Sequence, residues 1–133
     1  LRRDAEPDVL LVGAGTMAAV ALDAAERLAA DGIGCTVIDP RWIAPLDPAV
    51  VELAADHRLV VSVEDNGRQG GVGSTIACAL LDAGVRTPVR IHGVDQRFLD
   101  HAKRAVILER QGLTGPAIAA DTVTCLPGNT ARQ

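Results

Sequence analysis

The sequence is short of aromatic residues: its 133 residues include one Trp, one Phe and no Tyr. A surface for single-stranded nucleic acid needs stacking rings and a basic groove. With only Trp42 and Phe98 and a net charge of −4, the chain offers neither, which argues against a phosphate-backbone partner. No apolar run approaches the roughly 18 residues that span a bilayer, and no signal-peptide pattern opens the chain. A cytoplasmic location without a membrane partner is therefore expected. Cysteine is scarce and odd in number. Cys35, Cys78 and Cys125 form no C-x-x-C pair, so they read as small buried apolar residues in a reducing compartment, not as a disulfide frame or a zinc site. His57, His92 and His101 match no metal spacing such as H-E-x-x-H. A serine nucleophile elbow and a Walker loop are also lacking. Few patterns of a self-contained enzyme are left, and the first residue is Leu1, so a domain of something larger is the expectation.

What the chain does have is a core. Apolar residues make up 48% and charged residues 23%, proportions of a folded chain, and the length suits one domain. Residues 8–12 are nearly all apolar and end at Gly13, as in a strand buried on both faces. Met17, Val20, Ala21, Ala24 and Leu28 recur at helical spacing over 16–30, closed by Gly32 and Gly34. Cys35 to Ile38 reads as a second strand. Asp47-Pro48 supplies an N-cap and first residue for a helix to about Asp56. Strands follow at 59–63 and 89–91, separated by a helix that Gly70, Gly71 and Gly73 lead into. Asp100 is placed to cap a helix reaching Gln111, and Thr114-Gly115-Pro116 opens a last helix to about Thr124. Beyond Pro127 the tail reads as frayed. Strands alternating with helices predict a three-layer α/β/α domain at 8–126, with a mainly parallel open sheet of four or five strands.

Three places could carry chemistry. Gly13-Ala14-Gly15-Thr16-Met17-Ala18 follows a strand and opens a helix, matching a G-x-G-x-x-A dinucleotide fingerprint, and Asp39 ends the next strand where a ribose-binding acid would sit. The competing reading is a tight turn that simply needs small residues. Glu64-Asp65-Asn66 ends a strand before the glycine loop 67–73. That loop reads either as an anion cradle or as a turn kept small so that another domain can pack on it. The second reading is favoured, because two adjacent acids repel an anion. Finally, His57 sits at a helix end where it complements the dipole. All three histidines read as structural or surface groups.

The order of motifs carries a resemblance. Asp39-Pro40-Arg41-Trp42 with Pro45-Leu46-Asp47, then Val63-Glu64-Asp65-Asn66, then Gly70-Gly71-Val72-Gly73-Ser74, resembles the transketolase-type C-terminal domains. Gly93-Val94-Asp95-Gln96-Arg97-Phe98 with Asp100-His101, and Gln111-Gly112-Leu113, is similar within that group to the 1-deoxy-D-xylulose-5-phosphate synthases. The resemblance spans about residues 8–120. It implies a homodimeric parent enzyme that uses thiamine diphosphate and Mg²⁺ to join a pyruvate-derived two-carbon unit to glyceraldehyde 3-phosphate, for isoprenoid and thiamine synthesis. It also implies that cofactor and metal are held by domains other than this one, so that no catalytic, cofactor-binding or metal residue is expected here. Arg41, Glu64, Asn66, Gly70 and Gly71 are the expected interface or loop-organising residues. Partners would be the other domains of the same enzyme and the second subunit. The resemblance also implies a first strand before Asp8 that is missing or reduced to a stub at 1–7, suggesting truncation and leaving 9–12 or a neighbour unpaired. Two alternatives stay open: the β subunit of a 2-oxoacid dehydrogenase, and a free-standing dinucleotide module using Gly13, Gly15 and Asp39.

Overall fold

The structure, a computed structural model, describes residues 1–128. Five strands, β1 (Arg2–Arg3), β2 (Val9–Gly13), β3 (Cys35–Ile38), β4 (Leu59–Gly67) and β5 (Val89–Val94), form one sheet in the order β1-β3-β2-β4-β5. All neighbours are parallel except β1, which runs antiparallel to β3 with Arg2 opposite Val37. The five helices are α1 (Ala18–Ala30), α2 (Pro48–Ala55), α3 (Val72–Asp82), α4 (Arg104–Arg110) and α5 (Gly115–Cys125). The architecture is the expected α/β fold with a mainly parallel sheet.

Alternation along β2 divides the core in two. Val9 and Leu11 join Leu28 of α1 and Ile118 of α5 on one face. Leu10 and Val12 join Val50 of α2 and Ile76 of α3 on the other. A strand buried on both faces has no polar side, which is why 9–12 is a continuous apolar run. Two caps act as the sequence predicts. Asp47 accepts a bond of 3.0 Å from the Ala49 N–H with Pro48 in the first turn, and Thr114 accepts from Ala117.

Several expectations are corrected. Residues 1–7, expected as a stub, hold the two-residue strand β1, and Leu1 N donates to the Val37 carbonyl at 3.0 Å. Strand β2 is central and paired on both sides, not left unpaired. The glycine turn passes through a short 3-10 segment, Gly15–Met17, before α1 begins at Ala18. Asp100 caps nothing: α4 starts at Arg104 behind Lys103, whose ammonium cannot accept an N–H, and tertiary contacts of Arg104 hold the helix start instead. Strands β4 and β5 run on to Gly67 and Val94, beyond the apolar stretches that signalled them. Cys78 is exposed on the outer face of α3, Cys125 is partly buried, and only Cys35 is buried. Burial, followed by the nearby Asp4 carboxylate, pushes the Cys35 thiol up to about 12, so it is inert. Of the tail expected to fray from Pro127, residues 129–133 lie outside the described residues.

Candidate functional site

Starting from β2 at the centre, the chain moves outward to β3 over one face, then crosses back to β4 over the other. The reversal leaves a switch point between the ends of β2 and β4, the crevice in which open α/β sheets receive ligands. Here the crevice is bridged by the Ala14 N–H, which donates to the Val63 carbonyl at 2.9 Å. Three carboxylates surround it: Asp39, Glu64 and Asp65.

Glu64 is completely buried. The Val72 N–H donates to its Oε2 at 2.8 Å and the Gly73 N–H to its Oε1 at 2.9 Å. An anion therefore does sit at the N-terminus of α3, where free N–H groups and the helix dipole favour one. That anion belongs to the protein. The expectation that the acids at the end of β4 would repel an anion concerned an outside anion, and Glu64 itself takes the position such an anion would fill. The loop is small because Glu64 fills it: a Cβ on Gly71 would fall on Glu64 Oε2 and lie 2.7 Å from the Gly67 carbonyl oxygen. Gly70 takes φ +74°, the left-handed turn that brings the chain back over the carboxylate. Beneath Gly73, Ser62 Oγ is buried without a hydrogen-bond partner.

Asp39 has a parallel but weaker role. Its Oδ1 accepts the Gly15 N–H at 3.0 Å in an exposed setting, so the N–H that would face a pyrophosphate is already bonded. Gly13 is required by close approach, because a Cβ there would lie 2.7 Å from Ala18 Cα.

Asp65 is the centre of a latch the sequence reading did not single out. Arg104 donates to Asp65 Oδ2 at 2.6 Å and to Thr16 Oγ1 at 3.1 Å, while Thr16 donates to the same carboxylate oxygen at 3.2 Å. The hydrogen bond from Arg104 is the chief cause holding Asp65 below the ordinary carboxylate range. Thr16 and Arg104 lie 88 positions apart, and no local spacing signals that contact. Asn66 and Arg41 are exposed, the first at the end of β4 and the second in the segment after β3.

The histidines stand apart from this crevice or outside any bonded cluster. His57 is buried, with Nδ1 2.6 Å from the Leu53 carbonyl and Nε2 2.8 Å from Thr36 Oγ1, so it is a structural group. His92 faces α5, where Arg90 holds Asp121 by two bonds of 2.7 and 3.0 Å. Its Nε2 lies 3.2 Å from Asp121 Oδ2 without hydrogen-bond alignment. Burial lowers its pKa against the opposing pull of Asp121. His101 is exposed. Among the described residues, no group of three or more His, Cys, Asp or Glu is arranged to hold a metal ion. No helix among them is long and apolar enough to cross a membrane.

Chemically, each strand-end carboxylate is already bonded to backbone N–H groups or to Arg104 and Thr16. The residues present do not fit a diphosphate–metal group, since the helix N-terminus that could receive one holds Glu64. Fold and crevice together define a doubly wound α/β domain whose ligand position is self-filled.

The family model described as "Transketolase, C-terminal domain" matches residues 1–118, and the chain belongs to that family. It is 58% identical over 130 residues to 1-deoxy-D-xylulose-5-phosphate synthase 1 of Kitasatospora griseola, covering 95% of this chain and 20% of that protein. Against the 1-deoxy-D-xylulose-5-phosphate synthase of Streptomyces sp. (strain CL190), identity is 54% over 127 residues, covering 96% and 20%. A solved structure described as "Split gene transketolase, inactive beta4 tetramer" superposes with a TM-score of 0.82 at 34% identity, covering 93% of this chain and 40% of that one. The chain thus spans about a fifth of the length of the synthases it matches.

Proposed function

We propose that this chain is the non-catalytic C-terminal domain of a thiamine-diphosphate- and Mg²⁺-dependent 1-deoxy-D-xylulose-5-phosphate synthase, and that it supports the other domains and the dimer. The observation that carries this reading is the filled switch point. Glu64 occupies the helix N-terminus, Asp39 the glycine turn, and Asp65 the Arg104 latch. A catalytic domain needs free acids, bases or N–H donors aimed at a reacting atom, and here those groups are bonded to one another. The cofactor would supply a carbanion sink, and it would be held by the part of the enzyme that precedes this domain. Within the chain, Glu64, Gly70 and Gly71 organise the loop, while Arg41 and Asn66 face outward as interface residues.

Titration calorimetry on the 133-residue chain tests the reading. Neither thiamine diphosphate with Mg²⁺ nor pyruvate should give measurable heat at tens of micromolar protein. Micromolar cofactor binding, or any carbon dioxide release from pyruvate, sinks it.

A further inference from the structure

Strand β5 is an edge strand, paired with β4 alone. Beyond that ladder, side chains attach it to the helices. Arg90 and His92 stand two residues apart on β5 and therefore on one face of the sheet. The helix they meet is α5, through Asp121. Arg90 takes both oxygens of that carboxylate, Nε to Oδ2 at 2.7 Å and Nη2 to Oδ1 at 3.0 Å. His92 is packed in beside them, with 13% of its side chain reaching solvent. Its buried Nε2 has no hydrogen-bond partner among the described residues, although Asp121 Oδ2 lies 3.2 Å away. The guanidinium already holds the carboxylate, and the imidazole is left beside the clamp as a spacer.

The charges around His92 suit a neutral ring. Arg90 is on its own strand, and Arg68 is in the segment after β4, which passes so close to Gly93 that a Cβ there would lie 2.9 Å from Arg68 Cα. On α5 the ring faces Asp121, whose own neighbour one turn along is the Cys125 thiol. Burial lowers the His92 pKa, Asp121 opposes that, and the two arginines add to the lowering. An imidazolium would be a third cation around one carboxylate, largely cut off from water.

We infer that His92 is an acid-sensitive release for α5: while the ring is neutral the Arg90–Asp121 clamp holds the helix on the edge strand, and a proton on the ring drives the cluster apart. The unfolded chain takes up that proton at the ordinary histidine value, and the folded chain only below it. Stability is therefore full above the ordinary value and is lost as pH falls through the interval down to the lowered one. The loss is local to the helix that carries Asp121, since structure opens in contiguous units. It lies on the acid side of the range of about pH 5–8 in which an unperturbed histidine changes charge.

Amide hydrogen exchange of the 133-residue chain, corrected for the intrinsic pH dependence of exchange, tests the inference together with NMR titration of the His92 ring. Between about pH 7.5 and about pH 5, residues 115–125 should lose protection about tenfold, with 72–82 on the opposite face of the sheet unchanged. His92→Gln, uncharged at every pH, should remove that loss, whereas His101→Gln, at an exposed histidine, should leave it. The His92 ring should titrate below the ordinary histidine value. In Arg90→Gln the carboxylate is free to take the imidazolium, so the ring should titrate higher than in the parent chain. Constant protection of 115–125 overturns the inference. So does a loss shared equally by 72–82, which is global acid unfolding, or one that persists in His92→Gln. Should His92→Gln fail to fold, the ring titration decides. A value at or above the ordinary one overturns the inference, because Asp121 then accepts the imidazolium and acid tightens the contact. A value unmoved by Arg90→Gln overturns it as well.

Discussion

The molecule contains two glycine-rich strand-to-helix turns, and they solve one problem at different depths. Both place small residues between a strand of the sheet and a helix N-terminus, and both receive a carboxylate from the protein itself. At the turn after β4 the carboxylate is Glu64, fully buried and bonded to two backbone N–H groups. At the turn after β2 it is Asp39, exposed and bonded to one. A buried N–H that loses its acceptor has no water to turn to, whereas an exposed one does. The same sequence signal, glycines before a helix, thus marks a structural keystone in one case and a replaceable bond in the other. What separates them is the depth of the carboxylate, which the glycines do not report.

The sharpest way to break the comparison is to remove each acid. Glu64→Ala strands two buried N–H groups at about 1–3 kcal/mol each, so urea unfolding should register a loss of about 2–6 kcal/mol. Asp39→Ala, at the surface, should cost about 0.5 kcal/mol or less. Similar losses at the two sites would erase the distinction. Filling the glycines is the next largest effect. Gly13→Ala puts a methyl 2.7 Å from Ala18 Cα, and Gly71→Ala puts one onto the bound Glu64 carboxylate. Each should cost about 2–3 kcal/mol, because backbone or a fixed anion must move. Gly15 has open space around it but φ +57°, so Gly15→Ala should cost only the left-handed strain of about 1–2 kcal/mol. Thermal or urea midpoints of the three variants rank them directly.

The element order was legible because its signals are local: an apolar run for β2, Asp47-Pro48 for α2, helical spacing over 16–30. The family could be read from motif order for the same reason. What escaped the sequence depends on how the chain meets itself. Glu64 bonds residues eight and nine positions on, a reach that only a bent loop allows and that no local spacing signals. Strand β1 is two arginines without apolar alternation, held by backbone pairing that leaves no side-chain pattern. Asp100 carried a sound capping signal that lost to the long-range hold on Arg104. Cys78 could have been placed correctly, since Val72, Ile76 and Leu80 define the buried face of α3 and position 78 lies off it.

The third strand-end acid, Asp65, gives a small effect, and the one of the three that depends on pH. Arg104 holds its pKa below the ordinary carboxylate value, so between the two values the unfolded chain binds a proton that the folded chain does not. The latch therefore stabilises the fold above the ordinary carboxylate range, and its contribution is lost as pH falls through the lowered value. Asp65 and Arg104 side chains are 33% and 58% exposed, so solvent and salt screen the pair and its worth is about 1 kcal/mol or less. Arg104→Ala should be less stable than the parent by that small margin at pH 7, with the gap closing toward pH 2 and shrinking in high salt. The Asp65 carboxyl, followed by NMR, should titrate at higher pH in the variant. A gap that stays constant across this range would mean that Arg104 holds α4 by packing against Met17 and Thr16 rather than by its charge on Asp65.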